Sequence, residues 1–132
     1  MVLTLLVPTA VMAVDVPLQT NVDEQVISFT VVPGSLGFGT VVVGASSVVV
    51  PFTITNTGNV KIVVTATISG DTSGFYSAYL TLDGHPVTAF TTVTLTPVTG
   101  NTQSVNAQVH PTAGGWTNPV NGSLTFTATM VP

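Results

Sequence analysis

An antiparallel β-sandwich of seven or eight strands, immunoglobulin-like or jelly-roll, is the fold class the sequence predicts. Three observations predict it. Val and Thr supply 49 of the 132 residues (25 and 24), and their branched Cβ atoms favour strands and crowd a helix. Apolar residues recur with period two in short segments bounded by Gly, Pro, Asn and Asp, the pattern of half-buried strands. Those segments succeed one another at roughly 8–12-residue spacing, which is sandwich spacing rather than that of strands alternating with helices.

The first element is a half-buried strand. Val14, Val16, Leu18, Thr20 and Val22 alternate with Asp15, Pro17, Gln19 and Asn21, and Pro17 restricts the strand to an edge or one-sided position. Asp23-Glu24-Gln25 breaks it. Val26–Val32 is the next strand, closed by Pro33-Gly34. Leu36–Val43 and Val48–Thr55 come after it, the second with Val48, Val50, Phe52 and Ile54 on one face. The turn Asn56-Thr57-Gly58-Asn59 then joins it to Val60–Ser69, and two alternating strands around so short a turn predict a β-hairpin. Phe75–Leu82 comes next. Asp83-Gly84 is a strong two-residue hairpin signal, with Val87–Thr96 as the returning strand. Ser104–His110 places Val105, Ala107 and Val109 inward. Pro111–Gly122 is the longest loop, and Ser123–Met130 ends the sheet with Leu124, Phe126, Ala128 and Met130 on one face.

At the amino terminus, Val2–Ala13 has the apolar character of a secretory leader, with Val11 and Ala13 as the small residues before a cleavage point. Pro8 argues against a continuous helix there. No basic residue precedes the apolar stretch. The expected organisation is therefore a leader over residues 1–13, an amino-terminal strand over 14–22 and a sandwich domain over 23–132, in a secreted or cell-surface protein.

Composition excludes several functions. Charged residues are only 5% of the chain: Lys61, Asp15, Asp23, Glu24, Asp71 and Asp83, with no Arg. One cation cannot neutralise a nucleic-acid backbone or an anionic lipid surface. No apolar run reaches the ~18 residues of a membrane-spanning helix. The absence of Cys removes disulfides, zinc thiolates and thiol nucleophiles. His85 and His110 fall in turn or strand-end positions outside any ligand pattern. No Ser occupies a nucleophile elbow, and Asp71 and Asp83 sit where turns need them. No enzyme, no cofactor and no metal is expected, Asp23 and Glu24 being the best of a poor set for a cation. Asn121-Gly122-Ser123 is a formal N-glycosylation acceptor, but Asn-Gly is also a turn dipeptide, and the turn is the favoured reading. Trp116 can serve as an exposed surface contact or as a lid folded onto the end of the sandwich.

The informative feature is what the outer faces lack. They carry Thr, Ser, Asn, Gln and Val, where a soluble monomer guards its faces and edges with Lys and Glu. Val41-Val42-Val43 and Val48-Val49-Val50 are apolar on both sides of the pleat, so one side needs a second cover. The strand at 14–22 can supply cover to a neighbour by β-augmentation, with Val14, Val16, Leu18 and Val22 filling the acceptor. Such head-to-tail insertion does not close, so it generates a filament.

Phe38-Gly39…Gly44 followed by Phe52-Thr-Ile54-Thr-Asn56-Thr-Gly58-Asn59-Val60 resembles the opening of many prokaryotic extracellular immunoglobulin-like domains. With a leader and a short amphipathic strand ahead of it, the pattern resembles the TasA/camelysin group of biofilm fibre proteins and archaeal bundling-pilus subunits. The resemblance implies a jelly-roll or immunoglobulin-like fold and donor-strand polymerisation, with the donor role falling on Val14–Val22. Camelysin is described as a metalloprotease, and no ligand motif carries that activity here. The resulting expectation is a structural subunit of an extracellular filament, a homopolymer whose surface can meet neighbouring filaments or cells. The alternative is a stand-alone surface module for adhesion or carbohydrate binding, using Trp116, Tyr76 and Tyr79.

Overall fold

The structure, a computed structural model, describes residues 12–132. The leader expected over residues 1–13 lies, except for its last two residues, outside the described part. The described residues form an all-β antiparallel sandwich of seven strands. One sheet has the order β1-β2-β6-β4-β5, built from Phe29–Val32, Val50–Asn56, Thr102–Val109, Leu80–Leu82 and His85–Pro86. The other pairs β3 (Ile62–Ser69) with β7 (Ser123–Met130). Thr91 and Leu95 bridge onto the far side of β3, opposite Thr65 and Ile62.

Period two is what builds the core. Phe52 and Ile54 from β2, Ile62, Val64 and Ala66 from β3, and Val105, Ala107 and Val109 from β6 are all buried, with Leu80, Leu82 and Leu95 beside them. The alternate residues of these strands face out and are mostly Thr, Ser and Asn. Phe52 of one sheet meets Phe126 of the other with ring centroids 5.5 Å apart, so the layers interlock across the sandwich.

Several elements differ from the expected ones. The turn Asn56–Asn59 is not a hairpin: β2 pairs with β1 and β6, while β3 pairs with β7. The buried Asn56 explains the switch of sheet. Its Nδ2 donates to the carbonyls of Val60 and Leu95 at 2.8 and 2.9 Å, and its Oδ1 accepts from Gly58 N–H at 2.9 Å. A side chain that satisfies the turn's backbone groups from inside frees the two strands from pairing with each other.

Phe75–Leu82 is a helix of five residues, α1 (Phe75–Tyr79), followed by β4. Asp71 nucleates it, its Oδ2 accepting from Ser77 N–H and Ser77 Oγ at 2.9 and 3.0 Å. The Asp83-Gly84 hairpin between β4 and β5 forms as expected, both residues adopting positive φ, as a type I′ turn requires. Val87–Thr96 does not return as its partner. It makes a 3₁₀ turn over Val87–Ala89 and crosses to β3. There Thr92 turns inward, its Oγ1 accepting from Val64 N–H at 2.9 Å. Leu36–Val43 forms no strand; Gly39 within it takes positive φ, which breaks the extension. The expected strand over Val26–Val32 is confined to its last four residues, β1.

Val14–Val22 is in neither sheet, and every residue from Met12 to Ile27 is exposed. The segment that sequence assigns to a half-buried strand has no partner within the described residues of its own chain.

Candidate functional site

Two ends of the sandwich differ in what they carry. Residues Glu24–Ser28, the root of the amino-terminal segment, lie against the Asn56–Asn59 turn. Asn59 Oδ1 accepts from Val26 N–H at 2.7 Å, its Nδ2 donates to Glu24 O at 2.8 Å, and its own N–H donates to Val26 O at 3.1 Å. Thr57 and Gly58 N–H groups both donate to Ser28 O. Gly58 allows this approach, because a Cβ there would collide with Val26 O. Glycine at this position is thus set by close packing of backbone rather than by a positive φ.

The opposite end holds an open groove of about 520 Å³. It lies between the sheets, lined by Val31 of β1, by Leu124 and Phe126 of β7, by the loop residues Pro33–Leu36 and Phe38, and by Phe52, Ile68 and Tyr76. β1 and β7 are the edge strands of their sheets, so the groove is the open flank of the sandwich. The inward residues of β7 show the consequence. Leu124, Phe126 and Ala128 are only half-buried and Met130 is 39% exposed, whereas the equivalent residues of β3 are buried except Ile68. One face of β7 is packed as if a strand were missing beside it.

Apolar surface is exposed on the segment and on the β1–β2 connection. Val14, Val16, Leu18 and Val22 are strongly exposed, Leu18 at 93%, and Val42, Val43, Val48 and Val49 of the β1–β2 connection are exposed as well. No charged side chain lines the groove.

The other residues singled out by sequence fall elsewhere. Trp116 is folded back. Its ring meets Phe75 and Tyr79 edge-on at 5.2 and 5.8 Å, and its Nε1 donates to Ala113 O. Asn121 is exposed just ahead of β7, and Gly122 lies so close to the Tyr76 ring that a Cβ would sit 2.7 Å from Cδ2. Tyr76 donates to Val120 O at 2.6 Å, and burial together with the Asp71 charge pushes its phenol up. For Asp71, burial alone would raise the carboxyl. The hydrogen bonds from Ser77, aided by the nearby amides of Tyr76 and Phe75, outweigh that and hold it below its ordinary range. His110 Nδ1 lies 2.9 Å from Ser46 Oγ on the exposed surface. His85 is exposed in β5, and Asp83 Oδ1 accepts from Asn106 N–H as a turn former. Asp23 and Glu24 are exposed, Glu24 contributing only its carbonyl to Asn59. No group of three or more His, Asp or Glu that could hold a metal occurs among the described residues, and no helix among them is long and apolar enough to cross a membrane.

Sequence reasoning names the segment but not the groove. It passes over Asn59 as a turn residue, though the Asn56-Thr57-Gly58-Asn59 motif is the available signal. It also takes β7 for an ordinary closing strand, because strand order is not visible in periodicity.

Comparison with protein-family models, with curated proteins and with solved structures finds no match to this chain.

Proposed function

We propose that the protein is the structural subunit of an extracellular filament, polymerising when residues 14–22 of one copy fill the open groove of the next. The carrying observation is the pairing of two complementary defects. An apolar, period-two segment is exposed and partnerless among the described residues, and an apolar groove stands open between two sheet edges. Burying each of Val16, Leu18 and Val22 contributes about 1.5–3 kcal/mol, and pairing satisfies the free amides of the edge. The near-absence of charge on the outer faces agrees with a surface covered by neighbouring copies. The apolar leader-like stretch ahead of the segment agrees with assembly outside the cell.

The adhesion-module alternative draws less support, since Trp116 and Tyr79 are half-buried, packed edge-on against Phe75 and each other. The test is electron microscopy of the purified mature chain beside a variant lacking residues 14–22. Long fibres from the first and monomers from the second are expected. Fibres from both, or monomers from both at high concentration, would refute the reading.

A further inference from the structure

The groove has two free edges, and the backbone distinguishes them. The geometry points to β7 as the acceptor edge, with the donor segment of a second copy running antiparallel to it and the even-numbered residues of both strands paired. This inference rests on the filament reading and adds the edge, the direction and the register.

Hydrogen-bond parity comes first. In an antiparallel ladder each residue's N–H and C=O point to the same side, and successive residues alternate. Ile62 exchanges both bonds with Leu95 at 3.1 and 2.8 Å, and Val64 O accepts from Thr92 N–H at 3.0 Å. The even residues of β3 are therefore committed to the 91–95 segment. Its odd residues bond β7, where Val63, Thr65, Thr67 and Ser69 face Thr129, Thr127, Thr125 and Ser123. The amides of Leu124, Phe126, Ala128 and Met130 are left pointing at the free edge.

Side-chain parity agrees. These same even residues of β7 turn their side chains toward the core and are incompletely covered. A strand added there must present its apolar face in the same layer, because directly opposed residues share a face. The donor's apolar residues, Val14, Val16, Leu18 and Val22, are also even. Even-to-even pairing thus satisfies the hydrogen bonds and the packing together.

Pro17 supplies an independent check. It has no N–H, and as an odd residue it points that side away from β7, where no bond is needed. A proline at position 16 or 18 would remove a ladder bond.

Direction follows from the two ends. Asn59 pins Glu24 and Val26 at the end where β2 stops and β3 begins. Only Asp23 separates Val22 from this clamp, so the acceptor must lie directly beyond that end. The groove is lined at the opposite end, by Pro33–Leu36 and Gly122–Leu124. A donor inserting from there has Val22 beside the start of β7 and Val16 beside its finish, which is antiparallel. On β1 the same insertion is parallel, and β1 has four residues against eight in β7. Size then selects the register that sets Leu18 opposite the small Ala128, the small Thr20 opposite the bulky Phe126, Val22 opposite Leu124 and Val16 opposite Met130.

The chain has no cysteine, so paired substitutions report the geometry directly. In this register Gln19 faces Thr127 and Asn21 faces Thr125, on the outer face and in non-hydrogen-bonded pairs whose Cα atoms approach to about 4.5 Å. Filaments of Gln19→Cys/Thr127→Cys and of Asn21→Cys/Thr125→Cys should give ladders of crosslinked multimers after mild oxidation, and filaments of the swapped pairs, Gln19→Cys/Thr125→Cys and Asn21→Cys/Thr127→Cys, only monomers. Ladders from both swapped pairs mean a parallel donor, and a ladder from only one of them means a register shifted by two residues. Either overturns the inference, as does crosslinking of Gln19→Cys to Thr30→Cys of β1 instead. All three leave donor-strand assembly standing. Filaments that persist without residues 14–22 refute the assembly reading itself. Each variant is first shown to form filaments under reducing conditions.

Discussion

Asn56 Nδ2 donates to Leu95 O at 2.9 Å across the interior of the sandwich. The bond ties the end of one sheet to the segment that extends the other. Asn56 is only 2% exposed, and its amide also satisfies Val60 O and Gly58 N–H. Asn56→Ala leaves buried backbone groups unpaired and should cost about 2–4 kcal/mol. Asn56→Asp should cost more, because it sets a carboxylate against two carbonyl oxygens. Urea unfolding of the segment-deleted monomer, followed by Trp116 fluorescence, measures both.

That residue also marks what periodicity can and cannot convey. The inward faces of β2, β3 and β6 are legible because one side of each is fully buried, which fixes the phase of the alternation. The sheet to which each strand belongs is not, since a buried Asn in a turn and a tight hairpin share the same residues. Phe75–Tyr79 is lost to a local effect, the capping of a short helix by Asp71, which outweighs the strand preference of its aromatics. Of the candidate site, the exposed segment is legible because Val14, Val16, Leu18 and Val22 alternate cleanly. The open groove depends on which edge remains unpaired, a property of strand order alone.

The clamp on the root of the segment is separable from the core. Asn59 is exposed, and its bonds go to Val26 and Glu24. Asn59→Ala should accelerate hydrogen exchange at the Val26 amide roughly five- to ten-fold, as expected for losing about 1 kcal/mol. Gly58→Ala should act more strongly, because its Cβ meets backbone that cannot yield. Unfolding midpoints should change little for Asn59→Ala, while filament yield falls as the exit direction of the segment loosens. Unchanged exchange at Val26 would contradict the clamp.

Asp71 predicts an acid transition local to α1. Its carboxyl is held below the ordinary value of 3.8 in the folded chain. A group with a depressed folded pKa stabilises the fold above its unfolded pKa and loses that contribution as pH falls through the folded one. The helix at Phe75–Tyr79, and with it the packing of Trp116 on Phe75 and Tyr79, should therefore loosen only below pH 3.8. Trp116 fluorescence titrated against pH in the monomer measures this. Asp71→Asn should make the low-pH profile flatter at the cost of stability at neutral pH.

The parity of the donor makes the sharpest prediction, because it contrasts neighbouring residues of one exposed segment. Leu18 and Gln19 are both exposed in the monomer, so a charge at either leaves the sandwich's own stability unchanged. Once the segment is inserted, Leu18 enters the apolar layer beside Ala128 and Gln19 stays on the outer face. Leu18→Asp then sets an unpaired carboxylate in an apolar layer without a cation, costing several kcal/mol. The protein concentration needed for fibre growth should rise by more than roughly 100-fold, since each 1.4 kcal/mol is a factor of ten. Gln19→Asp should shift it by less than about five-fold, and the same contrast should hold for Val16→Asp against Asp15→Asn. Light scattering across a concentration series, with unfolding midpoints as the control, separates the two classes. Equal inhibition from Leu18→Asp and Gln19→Asp would show that the segment does not insert with one face inward.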